Sequence, residues 1–356
     1  MHRLPRMPLR VAMIAPPFLP VPPPRYGGTE LVVHELCRVL ADAGCDVTLF
    51  ATGDSSPPPG VRLRSRTPLG SWPPEPWTDL EHALWAVREI ARGGYDVVHV
   101  HAPTCLPLLA ELDVPVVCHL HHAREEPLAA FYRRHASPRV RYVAISERQA
   151  ALHPELDCNV VHHGLDETRY WTAPDEGYAM FLGRLSRVKG PLDAVLAARA
   201  AHVPLRVFGT FHGEDGVHDV HALKHELQTP GVHHLGEIGF AAKASQLSRA
   251  RALLFPIAWE EPFGLALIEA MLSGTPVLAY PRGSVPELIE EGVTGFIAHD
   301  AAEMAELLGH LGGFDRERCR ARAIERFSAR RMGERVLSVY TELAGGGTGA
   351  VAARGA

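Results

Sequence analysis

The chain has 356 residues, 46% of them apolar, and a net charge of −5, which suits two domains with separate cores. Its charges form no long like-signed blocks, so nothing points to a nucleic-acid partner. No apolar run reaches the ~18 residues of a membrane span.

The first eight residues lack the apolar core of a secretory signal. Six cysteines, Cys37, Cys45, Cys105, Cys118, Cys158 and Cys319, include no CxxC pair. A chain this large needs no disulfide staples, so reduced thiols and a cytoplasmic location are expected. Only Lys189, Lys224 and Lys243 are lysines; the other cations are arginines.

Leu9 to Ala15 reads as the first strand. Six prolines between Pro16 and Pro24 exclude a helix or central strand there. This stiff loop delivers Arg25-Tyr26-Gly27-Gly28-Thr29-Glu30 to a helix that Thr29 is placed to cap. Gly44 stops that helix, and Asp46 to Ala51 forms the second strand. This β-loop-α-β order implies a parallel, Rossmann-like sheet. Gly27-Gly28 is not a GxGxxG fingerprint, and alone it reads as a turn.

Ser55 to Pro76 is expected to be irregular, and Leu80 to Arg92 an amphipathic helix. Strands follow at Tyr95–His101, Pro115–His121 and Tyr142–Ser146. His99, His101, His119, His121 and His122 sit at strand ends, where ligands of α/β sheets bind. None shows HExxH or similar metal-ligand spacing. Ala173 to Gly177 reads as a linker, and Tyr178 to Gly183 as the first strand of a second sheet.

Gly183-Arg184-Leu185-Ser186-Arg187-Val188-Lys189-Gly190 lies between that strand and a helix over Leu192–Ala201. Two cations five residues apart could clamp a diphosphate, Arg184 as a planar fork and Lys189 as a point charge. Taken alone, the loop also reads as an ordinary solvated basic segment. Leu205 to Gly209 is a strand, Gly213 to Val220 a polar loop, Val232 to Ile238 a strand and turn, and Lys243 to Ala250 a helix.

The most informative stretch follows. Ala252 to Ile257 reads as a buried parallel strand. Gly264 then opens a helix of good formers that stops at Ser273-Gly274. A helix start holds unpaired N–H groups and partial positive charge, which stabilise a phosphate. Glu261 precedes the helix, and Glu269 lies roughly 7 Å along it at ~1.5 Å per residue. Two surface acids on an ordinary helix would show the same spacing. Pro276 to Tyr280 is the next strand, and helices are expected over 301–311, 315–327 and 329–343.

Glu261, Phe263, Gly264 and Glu269 match position by position the Glu-x7-Glu signature of glycosyltransferase family 4, which this chain resembles. Gly274-Thr-Pro-Val-Leu-Ala-Tyr280 and Gly283-Ser-Val-Pro-Glu-Leu-Ile-Glu-Glu-Gly-Val-Thr-Gly-Phe296 extend the resemblance. It implies a GT-B fold: two Rossmann-like parallel-sheet domains facing a central cleft. The first would span residues 1–168, joined by a last helix near 329–343. The second, nucleotide-sugar-binding domain would span 169–328, with 344–356 a disordered tail.

The resemblance implies a retaining hexosyltransferase that moves a sugar from a nucleoside-diphosphate sugar to a hydroxyl acceptor, without metal or other cofactor. It places Arg184 and Lys189 on the diphosphate, with the backbone of Phe263, Gly264 and Leu265. It places Glu269 on the ribose, Glu261 and His121 on the sugar, and Ile238 at the nucleobase. Gly27 and Gly28 would approach the donor. His163 stands where the family's Asn-Gly-Val-Asp phrase has Asn, which leaves contacts at the domain junction open. Acceptor, base, sugar and peripheral membrane contact stay undecided. A sugar-nucleotide epimerase, a phosphorylase and a non-catalytic nucleotide-sugar-binding protein are the competing readings.

Overall fold

A computed structural model describes residues 8–25, 27–211 and 217–346. The chain divides into two compact units, one of residues 1–163 and 329–356, the other of 164–328. Residues 164–168, given to the first domain from sequence, therefore fall in the second unit. Their backbone explains it: Leu165 N donates to Phe327 O at 3.0 Å, and Arg320 donates to Glu167 O at 3.0 Å.

The N-terminal unit is built on seven strands: β1 (Arg10–Ile14), β2 (Asp46–Phe50), β3 (Arg62–Arg64), β4 (Val97–Val100), β5 (Val116–His119), β6 (Val140–Ala144) and β7 (Cys158–Val160). They lie in the order β3-β2-β1-β4-β5-β6-β7, all parallel. The C-terminal unit has six: β8 (Ala179–Leu182), β9 (Leu205–Phe208), β10 (Val232–His234), β11 (Ala252–Phe255), β12 (Val277–Ala279) and β13 (Gly295–Ile297). Their order is β10-β9-β8-β11-β12-β13, again parallel.

Both sheets thus run outward in two directions from their first strand. The crevice between first and fourth strands, beyond their carboxyl ends, is where such sheets bind ligands. The central strands are apolar runs rather than alternating ones because helices cover both faces. Every residue of β11, Ala-Leu-Leu-Phe, is buried. Each fully buried Leu or Phe contributes about 1.5–3 kcal/mol relative to exposure.

The Ala329–Gly346 helix belongs to the N-terminal unit and packs on the Gly28–Asp42 helix. The two approach closely: a Cβ on Gly333 would lie 2.6 Å from Val39 Cγ2. That packing buries Val336, Val339 and Tyr340.

Four expectations are corrected. The first helix starts at Gly28, with Gly27 at φ 151° as its cap and no side-chain cap, so Thr29 lies inside it. The segment from Ser55 to Pro76 contains β3, which has no apolar run and is exposed on alternate residues. Val217–Glu226 is helical, so the polar loop ends by Gly216; residues 212–216 lie outside those described. The last helix continues to Gly346, which removes 344–346 from the expected tail, and 347–356 are likewise outside.

Candidate active site

In the C-terminal unit the sequence-predicted residues lie on loops after β8, β10 and β11. The loop after β8 carries Arg184, half-buried, and Lys189; Arg187 is exposed. It is pinned to the loop after β11. Ala258 N donates to Val188 O at 2.9 Å, and a Cβ on Gly190 (φ 71°) would lie 1.9 Å from Pro256 O. Only glycine tolerates both the left-handed backbone and that approach.

Lys189 Nζ meets Glu261 Oε2 at 2.5 Å, with the two side chains 16% and 9% exposed. Trp259 Nε1 donates to the same carboxylate oxygen at 2.9 Å, and Lys189 Nζ lies 4.7 Å from the Trp259 ring centroid. Glu261 is fixed from behind. Gly283, at φ 56°, approaches so closely that a Cβ would stand 2.3 Å from Glu261 O. Ser284 N donates to Glu261 O at 3.0 Å, and Ser284 Oγ to Phe263 O at 2.8 Å.

The Leu265–Leu272 helix begins here. Gly264 is its cap at φ 90°, no side chain caps it, and its first turn holds no acid. By contrast, Ser146, Asp300 and Asp315 cap their helices with side-chain oxygens. Leu267 N donates back to Gly264 O at 3.0 Å, and with no side chain over them the first amides of this turn can meet an anion. A Cβ on Gly264 would sit 2.5 Å from Leu267 Cδ1. Phe263 is buried, and Leu265 is half-buried.

Glu269 lies further along the helix, buried. Lys243 Nζ meets its Oε1 at 2.5 Å, and Tyr170 OH donates to the same oxygen at 3.2 Å. Ile238 is half-buried in the turn after β10, just before the Phe240–Arg249 helix that carries Lys243. Sequence reasoning placed Lys243 only as a helix start and missed Trp259, Tyr170 and the role of Gly283. In the structure, two of the three lysines pair with the two motif glutamates, a pairing that no local pattern carries.

The N-terminal unit gathers histidines instead. His99 and His101, at the end of β4, His119 and His121, at the end of β5, and His163 pack together. Four of them are buried; His121 is half-buried. His99 Nε2 and His119 Nδ1 are 3.1 Å apart, and His101 Nδ1 and His121 Nε2 2.7 Å. His99 stacks on His101 with ring centroids 4.6 Å apart, and His119 on His121 at 4.9 Å. His163 stacks on His119 and His121 at 5.5 and 5.6 Å.

Tyr340 OH reaches His99 Nδ1 at 2.7 Å, and Met13 Sδ lies 3.1 Å from His101 Nε2. Burial pushes the His99 imidazole down to about 3 and holds His101, His119, His121 and His163 well below the ordinary histidine range, with neighbouring rings adding to it. All five are therefore neutral at pH 7. Gly27 and Gly28 open the first helix of this unit, where Glu30 is buried and raised to about 7 by desolvation.

Among the described residues, donor atoms of His99, His101 and His119 lie within 4.8 Å of one another. These rings are tilted by only 10–24° and stacked, and facing nitrogens are already hydrogen-bonded to each other.

Two parallel sheets of this order, one with a lysine–glutamate array beside an uncapped helix start, define a GT-B glycosyltransferase. Residues 26–169 match the model described as Glycosyltransferase Family 4, and residues 169–311 match that of Glycosyl transferases group 1. A D-inositol 3-phosphate glycosyltransferase from Xylanimonas cellulosilytica is 28% identical, over 94% of this chain and 96% of that one. The crystal structure of AviGT4, a glycosyltransferase involved in avilamycin A biosynthesis, superposes with a TM-score of 0.76 at 24% identity, over 95% and 99% of the two chains. Anabaena HepE, solved in complex with UDP and glucose, superposes at 0.71 and 18% identity, over 94% and 99%. The chain belongs to glycosyltransferase family 4 and is a glycosyltransferase.

Proposed function

We propose that the enzyme is retaining, takes its sugar from a nucleoside-diphosphate sugar, and passes it to a hydroxyl acceptor. The observation that carries this reading is the Lys189–Glu261 pair beside the uncapped helix start at Gly264. Lys189 is held by a carboxylate whose residue, Glu261, lies three positions before that helix's cap. A donor diphosphate on the Phe263-Gly264-Leu265 amides would draw Lys189 to itself and release Glu261 to the sugar hydroxyls. The pair is thus a partner exchange triggered by the donor.

Arg184, Lys189 and the helix amides would then oppose the charge that grows on the diphosphate as the glycosidic bond breaks, a preorganised electrostatic contribution. No divalent cation enters this scheme. Glu269, positioned by Lys243 and Tyr170, would hold the ribose hydroxyls, and the turn at Ile238 the base. His121 is assigned to the donor sugar, and Gly27-Gly28 to the donor and acceptor approach.

For the reaction, the C1–O bond to the leaving diphosphate breaks while the acceptor oxygen bonds C1 on the same face. The acceptor proton passes to a leaving phosphate oxygen, so charge and atoms balance and no side chain becomes covalently attached. Among the described residues no helix is long and apolar enough to cross a membrane, and all six cysteines are free thiols. We therefore place the reaction in the cytoplasm.

The test is a thermal-shift screen with UDP, GDP and ADP, because a ligand that binds the folded state raises Tm. At least one should raise it in the wild type and fail to in Lys189→Ala. Transfer or slow hydrolysis of the matching sugar nucleotide should follow. No shift with any nucleotide would sink the reading. Donor turnover without acceptor, giving an isomerised sugar nucleotide, would replace it with the epimerase reading.

A further inference from the structure

The two hydrogen-bonded imidazole pairs differ in what stands at their far ends. His99 ends on a tyrosine hydroxyl, which can donate or accept. His101 ends on Met13, whose thioether sulfur can only accept. Met13 is fully buried on β1, and its Sδ lies 3.1 Å from His101 Nε2.

That asymmetry settles where the protons go. All these rings are neutral, so each carries one proton on one nitrogen. Were His101 protonated on Nδ1, its Nε2 lone pair would face a sulfur lone pair at 3.1 Å, with no proton between them. Protonated on Nε2, it donates to the sulfur and leaves Nδ1 as an acceptor. The contact from His101 Nδ1 to His121 Nε2, 2.7 Å long, is then a bond that His121 donates. Its own Nδ1 is left without a proton.

We propose that Met13, acting through His101, fixes His121 in the tautomer that carries its proton on Nε2, so that Nδ1 serves only as a hydrogen-bond acceptor for a hydroxyl of the donor sugar. The assignment of that hydroxyl rests on the reading of His121 given under Proposed function; the tautomer does not. Met13 and His101 are positioning residues: they touch no substrate and act by setting the proton of a third group. A neutral His121 that accepts favours a sugar with a free hydroxyl at that point over its deoxy or O-methyl counterpart. A buried acceptor left without its donor is costly, whereas a hydrophobic pocket would distinguish the two only weakly.

The experiment is a long-range proton–nitrogen spectrum of the full-length protein labelled with 15N-histidine, without ligand, at pH 7.5. The His121 ring signals are identified by their loss in His121→Gln. The wild type should show His121 with a protonated Nε2 and a bare Nδ1 as its dominant tautomer. Met13→Leu, a volume-conserving change, should bring the two forms to comparable populations. A wild-type His121 protonated on Nδ1 would overturn the proposal, whether or not the leucine variant folds. An unchanged His121 spectrum in folded Met13→Leu would overturn it as well. Because no donor is present, absence of glycosyl transfer would defeat the functional reading while leaving this spectrum to be judged alone.

Discussion

The two sheets share a strand order and differ in what they place at the crevice beside their first strand. β8 and β11 end in loops that carry opposite charges in contact, Lys189 with Glu261, with Lys243 and Glu269 alongside. β4 and β5 end in uncharged imidazoles bonded to one another. Topology determines where a ligand is met, and the side chains at the strand ends determine what kind. A charged array suits a diphosphate; a neutral, hydrogen-bonding one suits hydroxyl groups. The comparison is open to attack at either end.

Acid is the largest perturbation, and it strikes only the imidazole side. Burial lowers His82 to about 4 and His99 to about 3, and His101, His119 and His163 are also pushed down. A histidine whose folded pKa lies below its unfolded value of ~6.5 binds its proton preferentially in the unfolded chain. Its stabilisation is complete above that value and declines as pH falls toward the folded pKa. His82 and His99 should each remove about 2 kcal/mol between pH 6.5 and 5, at ~1.4 kcal/mol per pH unit, and the other three act in the same direction. Glu30, raised to about 7, works in the opposite direction between pH 7 and 4.5, as does Asp79, also raised by burial, but the lowered histidines outnumber these two acids. Hydrogen exchange at pH 7 and pH 5 should show peptides of β4 and β5 losing protection before those of β8 and β11. Equal loss in both units would break the comparison.

The charged side should respond to single substitutions. Lys189→Ala leaves Glu261 with Trp259 but no cation and removes charge from the leaving diphosphate. Turnover in steady-state transfer should fall about 10²–10³-fold, the range for a preorganised donor at developing charge. A variant within threefold of wild type would contradict the assignment. Glu269→Ala should weaken nucleoside-diphosphate binding about 10–100-fold by calorimetry while reducing turnover less. It also leaves Lys243 without its carboxylate, so Tm should drop too. Equal losses in turnover and binding would move Glu269 from the ribose to the reacting centre.

How far the sequence reached can be judged from these residues. The parallel sheets were legible because β11 is an uninterrupted apolar run and β4 is one broken only by His99. Glu269 was legible because the helix opened by Gly264 sets its rise from the helix start, and Glu261 because it stands eight residues earlier, as the family signature requires. Lys243 was not, because its pairing with Glu269 joins two helices that only the fold brings together. β3 escaped for a different reason: an edge strand reading Arg-Leu-Arg has no apolar signal. The histidines were recognised as strand-end residues. Their bonding into pairs depends on register, His99 opposite Val117 and Val100 opposite Cys118, which puts His119 and His121 level with and beyond His101. No single-strand pattern carries that information.

The smallest effect comes from a residue that touches no ligand. Gly283 has φ 56°, and a Cβ there would lie 2.3 Å from Glu261 O and 2.4 Å from Glu261 N. Gly283→Ala should cost about 1–3 kcal/mol through backbone strain and the forced shift. Because the shifted atoms are the backbone of Glu261, the donor KM should rise several-fold as well. Ser146→Ala in the other unit is the control: it removes the cap on Gln149 N, 3.0 Å away, at about 1 kcal/mol. That loss of stability should leave the donor KM alone. If the two variants, compared at equal temperature below both melting points, change KM alike, then KM reports stability, and Gly283 has no special hold on the glutamate.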